Sequence, residues 1–204
     1  MSRIEKYMQH TAELVEFDLG FATENIAGID EVGRGPLAGD VYAACVVLPK
    51  EPRLVRVDDS KKLSQKAREE IAKKIYDIAI FCNIGIASVQ EIDELNILEA
   101  TKLAMHRAAE GCKADCFLVD AVTGLMLPNK SFSVISGDAK SYNIAAASIV
   151  AKVARDNYMC TMAERYPEYN FQKNKGYGTA EHIAAIKKYG PCPLHRKAFI
   201  RNFV

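Results

Sequence analysis

Short apolar runs alternate with longer amphipathic segments along most of the chain. Five of the runs are bounded by turn residues and predict strands, at residues 25–30, 40–48, 81–88, 116–120 and 131–136. Four longer segments predict helices, at residues 64–79, 89–111, 141–166 and 179–189. A short amphipathic helix and a connector are expected over residues 1–24.

The order of these elements indicates the fold class. Three strands come early and later strands alternate with helices, so we expect an α/β fold, with a mixed sheet flanked by helices. The helix over residues 141–166 is rich in alanine and can therefore lie close against the sheet. We expect a single domain over residues 1–204, with residues 1–24 as an N-terminal extension and a small helical C-terminal segment over about 167–204.

Composition narrows the class of protein. A chain of 204 residues with 49% apolar content fits one compact domain. No apolar run reaches 18 residues and the N-terminus is charged, so we expect neither a membrane span nor a signal peptide. Six cysteines without a CxxC pair and four dispersed histidines form no zinc or disulfide pattern. A cytoplasmic location is therefore expected.

Charge is distributed unevenly, although the net charge is only +1. Residues 1–138 hold 16 basic and 22 acidic side chains, whereas residues 139–204 hold 11 basic and 4 acidic ones. A basic final third on an acidic body suggests a surface that meets phosphates. The alternative is that these lysines and arginines only solubilise surface helices.

Four acidic residues fall at the ends of three predicted strands. Asp30 and Glu31 directly precede the glycine-rich turn at Gly33–Gly35, Asp120 closes an apolar run, and Asp138 follows the last strand. Ligand sites of open α/β sheets gather at strand ends, and carboxylates are preferred ligands of Mg²⁺. Two divalent ions about 3.5–4 Å apart can activate water and stabilise the leaving oxygen at phosphorus. The pattern predicts such a metal site.

Each acid also has a structural interpretation. The pair Asp30 and Glu31 could be an acidic strand end before a tight turn. Asp120 could be an N-cap or turn residue, and Asp138 could cap the helix predicted from residue 141. Taken together, four acids at three strand ends favour a metal site over these separate explanations.

Basic residues and one aromatic residue are candidate contacts to a polyanion. Tyr177 stands between two glycines, where an aromatic ring can stack on a sugar or base, although it could also be a partly buried loop residue. Asp156 lies inside a predicted helix, so an ion pair with Lys152 is expected there rather than metal binding. The basic candidates are Lys61, Lys62, Lys152, Arg155, Lys173, Lys175, His195, Arg196 and Lys197.

Several common motifs are missing from the sequence. The segment GRGPLAG lacks the Lys-Ser/Thr of a P-loop, and its third glycine is misplaced for a GxGxxG dinucleotide fingerprint. There is no GxSxG elbow, and no cysteine lies in a recognised nucleophile context. These absences argue against nucleotide cofactors and against acyl-transfer chemistry.

Beyond these patterns, the chain resembles the ribonuclease HII family, the type 2 ribonucleases H. The resemblance covers roughly residues 25–200 and rests on eight motifs in the family's order: GIDEVGRGPLAG, DDSKKLS, EIDELNI, LVDA, GDAKS, AAASIVAKVARD, KGYGTAEH and YGPCPLHRKAF. It implies a ribonuclease H-like fold. The related type 3 enzymes carry a large N-terminal domain, whereas only about 25 residues precede the first strand here, which favours type 2.

The resemblance also implies roles for individual residues. The implied catalytic, metal-binding carboxylates are Asp30, Glu31, Asp120 and Asp138. The implied substrate-binding residues are Gly33, Arg34, Gly35, Lys61, Lys62, Lys152 and Tyr177. In this family the glycine-arginine-glycine backbone meets the ribose 2′-hydroxyl, the tyrosine stacks on the same ribonucleotide, and the lysines meet phosphates. Asp156 matches an aspartate that we interpret as structural.

The function implied is that of an endonuclease. It would hydrolyse the RNA strand of RNA–DNA hybrids and cleave 5′ to single ribonucleotides embedded in duplex DNA, leaving a 3′-hydroxyl and a 5′-phosphate. Two-metal-ion catalysis with Mg²⁺ or Mn²⁺ and a monomeric enzyme are expected. Ala198 and Ala139 stand where many members have serine, which puts contacts at the edge of the site in doubt but no carboxylate.

Alternatives come from three classes of protein. Another carboxylate-metal nuclease of the same fold would not need the Gly33–Gly35 turn together with Tyr177. A non-catalytic nucleic-acid-binding protein would have no reason to place four acids against a polyanion. An ATPase of related fold would need a second subdomain, for which 204 residues leave little room.

Overall fold

The computed structural model describes the backbone of all 204 residues and every side chain except that of Arg3. Its five strands are β1 (Ile26–Val32), β2 (Val41–Val47), β3 (Phe81–Ala87), β4 (Cys116–Asp120) and β5 (Lys130–Val134). Its α-helices are α1 (Arg3–Leu19), α2 (Gln65–Ile78), α3 (Val89–Leu95), α4 (Ile97–Ala109), α5 (Tyr142–Arg165), α6 (Phe171–Asn174), α7 (Ala180–Tyr189) and α8 (Lys197–Ile200).

The strands form one mixed sheet in the order β3-β2-β1-β4-β5. Strand β2 is antiparallel to both β1 and β3, whereas β4 is parallel to both β1 and β5. The predicted mixed sheet with flanking helices is therefore confirmed. Its central strand, β1, is paired on both sides, so its position is fixed by two ladders of hydrogen bonds.

Two cores cover the two faces of the sheet. Because side chains alternate along a strand, β2 sends Val41, Ala43, Cys45 and Val47 to one face and Ala44 and Val46 to the other. The first face packs against α4, and the second packs against α2 and α5. Burial on both faces explains why β2 is an unbroken apolar run.

Helix α5 lies unusually close to the sheet at Gly28. A Cβ atom at this glycine would be 2.0 Å from the carbonyl carbon of Asn143, so only a glycine fits there. The alanines of α5 belong to the same packed face, as their small size predicts. The start of α5 is thereby held against the centre of β1.

One predicted helix is wrong in its extent. Residues 89–111 form two helices, α3 and α4, because Asn96 between them has φ +73°, which no α-helix contains. The Asn96 side chain accepts hydrogen bonds from the amides of Leu98 and Glu99 and so caps α4. The predicted cap at Ser64 is confirmed, since its hydroxyl accepts from the amide of Ala67.

The N-terminal helix α1 packs on the body of the molecule. Leu14 and Val15 enter the core of the α5 face, and the buried Asp18 accepts hydrogen bonds from both the backbone and the side-chain nitrogen of Asn143. Helix α1 thus braces the same turn of α5 that lies on Gly28. Among the described helices, none combines the length and apolar character needed to cross a bilayer.

We expect Gly28→Ala to destabilise the fold by at least roughly 1–3 kcal/mol, because the added methyl group meets backbone rather than a movable side chain. Thermal unfolding measures the effect. Gly35→Ala is the matched control, since the nearest atom to its added carbon would be Tyr177 Cε1 at 3.9 Å. Equal melting temperatures for the two variants would contradict the close approach of α5.

Candidate metal-binding and substrate-binding cleft

The parallel pairing of β1 and β4 brings two aspartates together. Ile29 is the register partner of Val119, and each is followed by an aspartate, Asp30 and Asp120. Ile29 and Val119 point to the α4 face, so the next residue on each strand points to the α5 face. The two carboxylates therefore emerge side by side at the same strand ends.

Asp138 completes the cluster from the turn before α5. It lies in a single 3₁₀ turn, Gly137–Ala139, whose Gly137 amide donates to Asp120 Oδ1 at 2.6 Å. Carboxylate oxygens of Asp30, Asp120 and Asp138 all lie within 4.8 Å of one another. Asp138 does not cap α5, because the Ser141 hydroxyl does so by accepting from the Ile144 amide; the capping alternative is wrong.

Glu31 stands apart from this cluster. As the neighbour of Asp30 on β1 it starts from the opposite face of the sheet, and its amide donates to Asp30 Oδ1 at 2.7 Å. Its Oε1 lies 3.5 Å from Arg34 Nη1, whereas its Oε2 is buried and has no hydrogen-bond partner. Glu31 nevertheless lines the same cleft as Asp30 and Asp120.

Burial of like charges dominates the electrostatics of this cleft. Burial raises the pKa of Asp30 well above its ordinary value, and the charges of Glu31, Asp120 and Asp138 add to the effect. Burial also raises the pKa values of Glu31 and Asp120. An unpartnered buried oxygen on Glu31 and three converging carboxylates are a donor set that fits a hard divalent cation.

The predicted basic contacts occupy different positions around the carboxylates. Lys61 lines the cleft, and its Nζ lies 3.1 Å from Asp138 Oδ2. Lys152 also lines it, with its Nζ 2.8 Å from Asp156 Oδ1, so the ion pair expected for Asp156 is confirmed. Lys62 is not among the residues that line the cleft, and its Nζ pairs with Asp58 at 3.0 Å.

The opposite wall of the cleft is made by two loops. Residues 33–39, which we call the 33–39 loop, begin at Gly33 with φ +98°. Tyr177 belongs to the loop before α7 and is 42% exposed, beside Gly35. With the carboxylates and Lys61, these loops enclose a cavity of about 350 Å³.

Two fully buried arginines hold the 33–39 loop in place, a structural role that the sequence did not reveal. The Arg196 guanidinium donates to backbone carbonyls of residues 33, 34, 36 and 39 at 2.6–2.9 Å. Arg155 donates to the carbonyls of Ala38, Asp40 and Lys175, and so ties the loop that carries Tyr177 to the first one. A Cβ at Gly33 would be 2.3 Å from Arg155 Nε, which adds a second reason for glycine there.

These contacts correct part of the predicted basic surface. Arg155, Arg196 and His195 were candidates for phosphate contacts, but all three are buried. The only sequence signal for burial was the position of Arg155 in an alanine-rich helix. Every residue has a backbone carbonyl, so the sequence does not show which carbonyls of an irregular loop accept hydrogen bonds from a buried guanidinium.

Comparison with known proteins was consistent across sequence and structure. The family model described as ribonuclease HII matches residues 27–202. The ribonuclease HII of Caldanaerobacter subterraneus subsp. tengcongensis is 49% identical over 206 aligned residues, which cover 100% of this chain and 84% of that protein.

Two solved structures share the fold. The ribonuclease H2 of Pyrococcus horikoshii superposes with a TM-score of 0.72 at 25% identity, covering 88% of this chain and 96% of that one. The ribonuclease HII of Archaeoglobus fulgidus, solved in complex with PCNA, gives 0.75 at 27% identity, covering 87% and 96%. The fold is accordingly ribonuclease H-like, as the resemblance implied.

We expect Asp30→Asn to stabilise the metal-free protein by roughly 0.5–2 kcal/mol, because it removes one buried charge from a repelling group. The same change should abolish cleavage, since a ligand charge is lost. Melting temperatures and cleavage rates, with and without Mg²⁺, measure both effects. The exposed Asp77→Asn serves as control and should change neither. Near-normal turnover by Asp30→Asn would rule out its role as a ligand.

Proposed function

The chain belongs to the ribonuclease HII family, and we propose that its carboxylate cleft performs the family's reaction through divalent metal ions. Enzymes of this family are metal-dependent endonucleases that hydrolyse RNA in RNA–DNA hybrids, and this is the activity of the chain. The observation that carries the assignment of the site is the convergence of Asp30, Asp120 and Asp138 within 4.8 Å.

We assign the metal-holding role to four carboxylates: Asp30, Glu31, Asp120 and Asp138. When bound, Mg²⁺ or Mn²⁺ would activate a water molecule and stabilise the leaving oxygen in an in-line displacement at phosphorus. Glu31 Oε2 is free to act as a ligand because no protein donor satisfies it. Lys61, bonded to Asp138, places a cation where the scissile phosphate would approach.

Selection of the ribonucleotide is assigned to the two loops of the opposite wall. The 2′-hydroxyl is the only group that distinguishes one ribonucleotide within duplex DNA. The backbone of Gly33, Arg34 and Gly35 can approach a sugar closely because the glycines lack a Cβ. Tyr177, half-exposed beside Gly35, would stack on that sugar and direct cleavage to its 5′ side, leaving a 3′-hydroxyl and a 5′-phosphate.

Contacts to the phosphate backbone are assigned to lysines along the cleft and to the C-terminal segment, about residues 167–204, as part of a single domain. Lys61 and Lys152 already face the cavity, and Lys62 follows Lys61 directly. We further propose a monomeric enzyme. We place it in the cytoplasm because all six cysteines are free thiols, as a reducing compartment would keep them.

The direct test is cleavage of a labelled duplex that contains one ribonucleotide. We expect cleavage 5′ to the ribonucleotide with Mg²⁺ or Mn²⁺, none with a chelator, and none on the all-DNA duplex of the same sequence. Extension of the product by a polymerase would demonstrate the 3′-hydroxyl. Cleavage that ignores the ribonucleotide would contradict selection by the two loops.

We expect Lys152→Gln and Lys62→Gln each to weaken binding and to reduce the slope of log affinity against log salt by roughly one unit. The loss of affinity should be similar for all-DNA and ribonucleotide-containing duplexes, because the phosphate groups are the same in both. Lys113→Gln is the control, since Lys113 lies beside Asn25 and Ala114, at the start of β1 and β4 and away from the carboxylates. A slope unchanged in Lys152→Gln or Lys62→Gln would remove that lysine from the binding surface.

We expect Tyr177→Ala to reduce cleavage at a single embedded ribonucleotide through loss of stacking worth roughly 1–3 kcal/mol. The loss should be smaller on a long hybrid, where other registers are available. The ratio of kcat/KM on the two substrates is the measurement. Tyr189→Ala, which removes another exposed tyrosine, should leave that ratio unchanged. Equal losses on both substrates would show that Tyr177 does not select the ribonucleotide.

A further inference from the structure

Two histidines meet in the interior beneath the loop that carries Tyr177. His182, on α7, and His195, just before α8, are both buried, and their Nε2 atoms lie 3.0 Å apart. The rings of Tyr169 and Phe171 pack against them. Neither histidine faces the carboxylate cleft, so the proposed hydrolysis leaves them without a role.

Hydrogen bonds at the two ends of the pair determine where the protons lie. The Tyr177 carbonyl, 2.9 Å from His182 Nδ1, can only accept, so His182 carries its proton on Nδ1 and its Nε2 is an acceptor. The Cys192 amide, 2.9 Å from His195 Nδ1, can only donate, so His195 carries its proton on Nε2. Both ends therefore require the same central bond, from His195 Nε2 to His182 Nε2.

A second contact of His195 Nδ1, 3.2 Å from the Cys192 carbonyl, is not a hydrogen bond in this arrangement. A donating Nδ1 would leave the part-buried Cys192 amide without this acceptor, and the amide contact is the shorter of the two. Burial lowers the pKa of His182, and it lowers that of His195 to about 4 with help from the neighbouring His182. Both shifts favour the neutral imidazoles that the bond from His195 Nε2 to His182 Nε2 requires.

The hydrogen-bonded pair of His182 and His195 connects the Tyr177 loop to the turn that also supports the 33–39 loop. Next to His195, the Leu194 carbonyl accepts from the Gly39 amide at 2.8 Å, and the Arg196 amide donates to the Leu37 carbonyl at 2.9 Å. One turn, residues 192–196, therefore holds the 33–39 loop through its backbone and the Tyr177 loop through the two imidazoles.

We propose that His182 and His195 are a pair of positioning residues that orient Tyr177 against the 33–39 loop and thereby set the preference for a single embedded ribonucleotide. The inference rests on the proposed role of Tyr177. Loss of the bond from His182 to the Tyr177 carbonyl would leave that carbonyl with one donor, the Thr179 amide at 2.8 Å. The bonds from the Leu37 amide to the Gly176 carbonyl and from Arg155 to the Lys175 carbonyl would still hold the preceding residues, but the Tyr177 carbonyl would have no side-chain donor.

Two substitutions at one position separate the hydrogen bond from packing. In His182→Asn the amide nitrogen can take the place of Nδ1 and donate to the Tyr177 carbonyl. In His182→Gln the longer amide reaches toward His195 instead and leaves the carbonyl. Both remove the ring and lose similar packing, so we expect similar melting temperatures. The preference is measured as the ratio of kcat/KM on a single embedded ribonucleotide to kcat/KM on a long hybrid. We expect this ratio to fall about five- to tenfold in His182→Gln and to stay unchanged in His182→Asn.

Three results would overturn the inference. Equal loss of preference in His182→Asn and His182→Gln would indicate packing alone. If His182→Gln keeps the preference and Tyr177→Ala loses it, the histidines do not orient Tyr177, although the proposed role of Tyr177 itself stands. An unchanged preference in Tyr177→Ala itself would remove that role, and the inference with it.

Three further variants test the proposal independently and guard against misfolding. On the Tyr177→Ala background, His182→Gln should cause no additional loss, because the residue that it orients is gone. His195→Gln retains a donor toward His182 and should keep the preference, whereas His195→Leu should lower it. This second pair decides the question if the His182 variants fail to fold, and equal preference in its two members would overturn the proposal.

Discussion

Repulsion among buried carboxylates is the constraint on which the rest of this molecule depends. Asp30 is 7% exposed and faces three other acids, so its charged form is disfavoured until a cation or a proton arrives. The group stays together because it is built into rigid elements: two parallel strands fix Asp30 and Asp120, and a turn bonded to Asp120 fixes Asp138. The close contact of α5 at Gly28 supports β1 two residues before Asp30, on the same face of the sheet.

The wall facing the carboxylates is irregular, yet its backbone is held firmly. A loop without regular structure leaves carbonyl groups that must find donors when they are buried. Here the donors are two guanidinium groups, whose planar, multiply donating shape suits several carbonyls at once. The backbone of the 33–39 loop is therefore fixed from the protein interior, which leaves its outer surface open.

The sequence predicted the parts of this architecture that local chemistry determines. Asp30 and Asp120 follow apolar runs, so their place at strand ends could be anticipated, and parallel pairing then made them neighbours. Asp138 was ambiguous because an acid before a helix has two uses, and only the structure shows Ser141 in the capping role. The break at Asn96 was missed because apolar residues at helical spacing continue on both sides of it.

The contacts that could not be predicted from the sequence are those between residues far apart along the chain. Arginine is normally a surface residue, so the sequence predicts a basic surface at Arg155 and Arg196. Most of the carbonyl groups that accept their hydrogen bonds lie more than a hundred residues away in the sequence. The contact between His182 and His195 likewise could not be predicted without knowing how the last two helices pack. Such contacts follow from the folded path of the chain, not from any local pattern.

Arg196 makes the 33–39 loop depend on a residue that lies far along the chain. The sheet and the three converging aspartates are complete within the first 165 residues, whereas the 33–39 loop waits for a guanidinium 157–163 positions along the chain from the carbonyls at residues 33, 34 and 39. Contacts so far apart in sequence cost more loop-closure entropy to form than local ones do. In a chain that emerges from the ribosome N-terminus first, the residues proposed to hold metal are thus all synthesised before the arginine that supports the loop proposed to select the ribonucleotide.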